Sequence, residues 1–271
     1  MEMRNGRGVL CLTFDNMGRA RDIAEGRAAA PDDAEPGLAV GYPRLLALLD
    51  ELDLRGTFFI EGWNALHHPE RVQELAERGH EVGLHGWVHE RFGTLDRLRA
   101  EQLLHDGTAA LARIGLRPKG FRAPGGDRGP HALPVLRALG FRYDSSIGPE
   151  DRSTQPSLLA PGFAHIPWRW EMVDSIQYLR HPVRPRTPQE LESMWNAAID
   201  EAAREKKALT IVIHAFVSGV DEERLAAVRR MLTRARARGD LDIVNAGDLA
   251  GRILSSSGRP EEPGAPPYRP A

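Results

Sequence analysis

Short apolar runs recur along the chain near 8–15, 56–61, 80–85, 119–123, 141–145, 163–168, 209–214 and 241–244, with helical patterns between most of them. This alternation predicts βα units and a parallel sheet. The helical stretches carry their own punctuation. Pro69 suits a first helical turn and Gly79 a stop, on either side of RVQELAER with its apolar face at Val72, Leu75 and Ala76. Thr187, Pro188 and Glu190 form a capping-box pattern ahead of a long helix. Thr94 is placed to cap the helix that ends before Gly115, and Gly239 follows EERLAAVRRMLTRARAR.

Two segments break the alternation. Residues 17–41, with AAAPDDAEPG at their centre, form a long polar stretch directly after the first strand, and loops of that length are commonly lids or disordered. A lid over the site is one expectation for it. The tail 255–271 is rich in Pro, Gly and Ser, has little to bury and is expected to be disordered. The remainder, 1–254, reads as one domain, a length suited to an α/β barrel.

Composition narrows the partner. With 36 basic and 38 acidic residues the formal charge is −2, which gives no electrostatic reason to expect nucleic acid or an anionic membrane. A small-molecule substrate is expected, and association between copies of the chain is left open. The single cysteine, Cys11, lies inside an apolar run, reads as a small buried hydrophobe, and precludes an intramolecular disulfide. No stretch of 18 apolar residues occurs and the opening MEMRNGRG has no apolar core, so neither a membrane span nor a signal peptide is expected and the default location is cytoplasmic.

The chemistry sits where the apolar runs end. Asp15 closes CLTFD, His85 and His89 fall in HGWVH, Arg122 lies in FRAPGG, Asp144 in YDSS and His214 ends IVIH. In a barrel, side chains at the C-terminal ends of strands meet at one mouth. His85 and His89, at i and i+4, would share a face about 5 to 6 Å apart at Cβ if the segment turned helical. That spacing suits one divalent metal, with Asp15 or His214 as a third ligand and water as a fourth. An unpaired aspartate at a buried strand end is costly, so Asp15 is expected to face a cation or a metal. The glycines after Arg122 allow close backbone approach, with an N–H for a developing oxyanion. Trp63, Trp87, Trp168 and Trp170 lie near strand ends and read as core or as a stacking surface. His67, His68, His105, His131 and His181 are expected to be solvated.

TFDN at 13–16, HGWVH at 85–89, RAPGG at 122–126, YDSS at 143–146 and IVIHAF at 211–216 together resemble, in order, the motifs of the polysaccharide deacetylase family, the NodB-homology domain of carbohydrate-esterase type. They are most similar to the branch of peptidoglycan deacetylases and allantoinase-like ring-opening enzymes. The resemblance implies a distorted (β/α) barrel of about seven βα units, a divalent metal such as Zn2+, and hydrolysis of an N-acyl group. It implies Asp15 as base, Arg122 as its orienting partner, His214 as general acid and the Gly125 backbone at the oxyanion. Asp174 is the candidate to orient His214, with Asp144 as the alternative. Asp15, His85 and His89 are the candidate metal ligands, and Gly125, Trp87 and Trp168 the candidate substrate contacts.

Three positions depart from the family pattern. Asn16 stands where many relatives have a ligating aspartate, Gly86 replaces a Ser or Thr, and Gly125 replaces an aromatic residue. An amide oxygen is a weaker ligand than a carboxylate, so Asn16 binds weakly, Asp15 becomes a ligand itself, or the metal has been lost. The leading expectation is a metal-dependent amidohydrolase that removes an acyl group, typically acetyl, from an amino sugar or sugar-bearing small molecule. The alternatives are a metal-poor ring-opening hydrolase of a cyclic amide or ureide, and a barrel that binds without catalysis.

Overall fold

The computed structural model describes residues 6–148 and 153–256. Its strands are β1 (Gly8–Asp15), β2 (Thr57–Ile60), β3 (Glu81–Leu84), β4 (Gly120–Phe121), β5 (Tyr143–Asp144), β6 (Ser157–Ala160), β7 (Phe163–His165), β8 (Ala208–Ile213) and β9 (Leu241–Val244). They form one sheet in the order β6-β7-β5-β4-β3-β2-β1-β8, with β9 also paired to β1. Every pairing is parallel except the β6–β7 hairpin. One parallel bridge, Val173 to Val212, joins the chain after β7 to β8. The sheet is thus a curled half-barrel, with β8 bridged to the segment after β7, the distorted α/β barrel expected of the sequence.

Alternation along each strand decides which side chains face inward. On β1, Leu10, Leu12 and Phe14 join the large cluster with the surrounding helices. Val9 and Cys11 join a second cluster with Phe59, Tyr143, Leu249 and Ile253. The helix Ala246–Ser256 closes this end: Ala246 N–H donates to Thr57 Oγ1 and Gly247 N–H to Glu81 Oε2, both at 2.8 Å. Thr13 and Asp15 continue the inward row of Val9 and Cys11, which delivers the Asp15 carboxylate to the opposite mouth. Inward-facing Gly83 makes room for a large neighbour, since a Cβ there would lie 2.6 Å from the Phe59 ring.

The local readings fare unevenly. Thr187 and Glu190 form the capping box of helix Pro188–Glu205, and Pro69 opens helix Pro69–Glu77. Thr94 does not cap the next helix: it lies in a 3-10 turn and bonds back to Arg91 O, while Asp96 accepts from Arg99 N–H at 2.8 Å as the cap of Arg97–Arg113. Strand β6 went unread because its residues are exposed or half-buried, although Pro161-Gly162 is a turn signal in the hairpin. The last helix runs through Ser256, two residues into the segment read as tail, and 257–271 lie outside the described residues. No helix among the described residues is long and apolar enough to cross a membrane.

Candidate active site

Arg122 is fully buried and its guanidinium organises the mouth. Nη1 donates to Asp15 Oδ1 at 2.7 Å and to Thr13 Oγ1 at 2.9 Å. Nε donates to the Ser145 carbonyl at 3.0 Å and Nη2 to Ser145 Oγ at 2.8 Å. The face of Phe59 lies 4.3 Å from the guanidinium carbon, a contact that suits a weakly hydrated planar cation. Asp15 is therefore held in one orientation by a charge-assisted hydrogen bond.

The two histidines meet differently from the helical expectation. After β3 the chain turns through Gly86 (φ 73°) and His89 (φ 79°), both left-handed, so the imidazoles converge through a loop and not a helix face. Glu90 folds this loop by accepting from Trp87 N–H and Val88 N–H at 2.9 and 3.1 Å. The ring centroids lie 5.2 Å apart. His85 Nδ1 lies 2.8 Å from the Arg122 carbonyl, which can only accept, so Nδ1 carries the proton and Nε2 keeps a free lone pair. Burial pushes the His85 imidazole down to about 4, and burial with His85 alongside pushes His89 well below the usual range.

His214 is held by Asp174 at two points. Its Nδ1 donates to Asp174 Oδ1 at 2.6 Å, and its backbone N–H donates to Asp174 Oδ2 at 3.0 Å. Ser218 Oγ donates to the same Oδ2 at 2.6 Å. Asp174 follows Val173, so the Val173–Val212 bridge brings it beside the end of β8. With Nδ1 committed, Nε2 is the nitrogen open to a reacting group. His214 and Asp15 both lie close enough to His85 to act on its charge.

Asn16 takes a left-handed backbone (φ 64°), which asparagine tolerates. Its N–H donates to Phe59 O at 3.2 Å and its carbonyl accepts from the Tyr42 hydroxyl at 2.6 Å. Its Nδ2 donates to Glu61 Oε1 at 2.6 Å. Glu61 Oε2 accepts from Met17 N–H at 3.2 Å and Asn64 Nδ2 at 2.8 Å. Complete burial pushes the Glu61 carboxyl up to about 7 against those hydrogen bonds.

The remaining candidates lie nearby in different settings. Trp168 is buried, donates its indole N–H to Ser145 O at 2.8 Å, and meets the exposed Trp170 edge-on. Trp87 is half-buried against the core beside Gly62. Gly125 is exposed with φ 69° and open space around it. Asp144 accepts from Ser146 Oγ at 2.6 Å and pairs with Arg128 at 3.3 Å, so it does not orient His214. His68 is buried, contrary to expectation, and its Nδ1 meets Asp33 of the 17–41 stretch at 2.8 Å.

A description of the family Polysaccharide deacetylase matches residues 3–143. The chain belongs to the polysaccharide deacetylase family. Among solved members, the "putative polysaccharide deacetylase" of Mycobacterium smegmatis is 28% identical with a TM-score of 0.84, covering 99% of this chain and 98% of that one. The peptidoglycan deacetylase of Helicobacter pylori is 29% identical over 149 residues, 54% of this chain and 48% of its own length. This deacetylase-family chain thus spans about half or less of the first curated relatives it matches. The allantoinase PuuE shares the fold with a TM-score of 0.80 at 20% identity, over 94% of each chain. Asp174 and His214 lie beyond the matched stretch, so their assignment rests on the geometry above.

The donor set is a separate matter. Among the described residues, no three His, Cys, Asp or Glu side chains are grouped so as to hold a metal ion. His85 and His89 offer two nitrogens, Asp15 Oδ1 is engaged by Arg122, and Asn16, whose amide nitrogen is engaged by Glu61, has a neutral oxygen to add. This set lacks an uncommitted carboxylate, so it suits a zinc site with three protein ligands poorly.

Glu61, Ser145, Ser218 and Thr13 are parts of the site that sequence reading missed. Thr13, Ser145 and Ser218 lie within or beside the quoted motifs, and Glu61 repeats the signal of Asp15, an acid directly after an apolar strand.

Proposed function

We propose that this chain hydrolyses the amide C–N bond of an N-acyl group, typically acetyl, on an amino sugar or sugar-bearing small molecule. The observation that carries the reading is the pairing of two carboxylate-bearing units at one barrel mouth, Asp15 with Arg122 and His214 with Asp174. Family membership supports the reaction class.

In this mechanism Asp15 takes a proton from a water that attacks the acyl carbon. Arg122 keeps the acceptor oxygen oriented. His214, held by Asp174 through Nδ1, acts as general acid and delivers a proton from Nε2 to the departing amine. In this reading Gly125, open and in a left-handed conformation, offers its N–H to the oxyanion, and Trp168 and Trp87 contact the substrate. The 17–41 stretch, docked through Asp33 on His68, serves as cover. No step is routed through a metal, because the donor set offers no uncommitted carboxylate as a third ligand.

A second reading, opening of a cyclic amide or ureide, is favoured by that same donor set, since the acid and base alone would suffice. Product analysis with N-acetylated amino sugars separates the two: free acetate supports deacylation, and turnover of a cyclic amide with no small acid supports ring opening.

A further inference from the structure

We infer that Asn16 and Glu61 act as one unit that withholds an anionic third metal ligand from His85 and His89. The inference concerns the site proposed above, but its readout is ion binding and not turnover.

The argument begins with the backbone. Asn16 is fixed at both ends of its peptide, N–H to Phe59 O and carbonyl to the Tyr42 hydroxyl, so its side chain leaves from a set position. From there Nδ2 reaches Glu61 Oε1 at 2.6 Å, and Glu61 is fully buried. A carboxylate at position 16 in that pose would set two carboxyl groups at that separation, and in a buried site the two cannot both be ionised. Glu61 therefore favours a neutral group, here an amide, at position 16. The consequence for an ion is direct. The atom Asn16 has left to offer is a neutral oxygen, a poor partner for zinc-like ions, while Asp15 already serves Arg122.

The hydrogen-bond pattern also shows how the arrangement can be reversed. Glu61 Oε1 accepts from Asn16 Nδ2, and Oε2 accepts from Met17 N–H and Asn64 Nδ2. Glu61→Gln together with Asn16→Asp preserves these three bonds: the new amide nitrogen at 61 donates to the new carboxylate at 16, and the amide oxygen keeps the two donors on the other side. The carboxylate at 16 then retains one free anionic oxygen beside the two imidazoles.

Co2+ serves as the probe, because its visible absorption reports ligand number and geometry. Titration of the full chain is expected to show weak binding in the unaltered protein, and in Asn16→Asp/Glu61→Gln binding tighter by more than about tenfold, the order of effect seen for groups that support a metal site. The added His89→Ala should abolish the gain. Thermal midpoints of each variant confirm folding. Tight Co2+ binding by the unaltered protein that is lost in His89→Ala overturns the inference without reference to any position-16 variant. A folded double variant that binds no better than the unaltered chain overturns it equally.

Discussion

Replacing Arg122 with methionine removes the cation but keeps much of the side-chain volume. The cost can be worked out partner by partner. Ser145 O still receives the Trp168 indole N–H at 2.8 Å, Ser145 Oγ still donates to Ile166 O at 2.7 Å, and Thr13 Oγ1 still donates to Ile211 O at 2.8 Å. Asp15 has no such replacement, and its side chain is only 8% exposed. Breaking one side of a buried ion pair costs about 3–5 kcal/mol, most of it from the charge left behind. For a domain of this size that is a fall of roughly 10 °C in thermal midpoint. Asp15→Asn alone should cost less, about 1–3 kcal/mol, because its amide oxygen can still accept from Arg122. In the double variant neither charge remains, so it should be more stable than the sum of the single effects by about 2 kcal/mol or more. Urea unfolding of the four proteins measures the cycle. A loss below about 1 kcal/mol for Arg122→Met, or simple additivity, would refute the claim that the guanidinium exists to hold Asp15.

Further expectations follow from other parts of the structure. Asp174→Asn leaves one acceptor oxygen for three donors, so kcat for acetate release should fall by roughly 10²–10⁴-fold with little change in KM, the range for loss of general acid catalysis; an unchanged kcat would remove Asp174 from the mechanism. A Cβ at Gly41 would sit 2.3 Å from Ala215 O in the turn after His214, whereas one at Gly239 meets nothing within 4 Å. Gly41→Ala should therefore destabilise by roughly 1–3 kcal/mol and Gly239→Ala by less than about 0.5 kcal/mol, read by urea midpoints. Burial, with Arg55 nearby, pushes the His80 imidazole down to about 4 from 6.5. Because the folded value lies below the unfolded one, the stability His80 contributes is complete above pH 6.5 and is lost as pH falls towards 4. His80→Gln should flatten that part of the stability profile.

Much of the mouth was legible because strand ends carry it. The apolar run into Asp15 fixes a buried strand, and alternation then fixes the inward face, so the position of Asp15 needs no long-range information. The run 241–244 matches β9 residue for residue for the same reason. What could not be read depends on contacts distant in sequence. Glu61 carries the same local signal as Asp15, but its partner Asn16 lies 45 residues away, so its role could not be read locally. His68 looked solvated because its partner, Asp33, lies in the polar stretch 35 residues earlier. Thr94 and Asp96 are both acceptable caps by residue type, and only the 3-10 turn at Phe92–Thr94 decides between them. The HxxxH spacing suggested a helix, yet the left-handed backbone at Gly86 and His89 produces the same convergence without one.

The central claim is amide hydrolysis with Asp15 as base. The measurement that tests it most directly is acetate and free amine released together from an N-acetylated glucosamine oligomer, by the unaltered protein and by Asp15→Asn. The account predicts equal amounts of both products from the unaltered protein and a loss of at least about 10²-fold in the variant. Release that survives Asp15→Asn, with the variant folded, would contradict it.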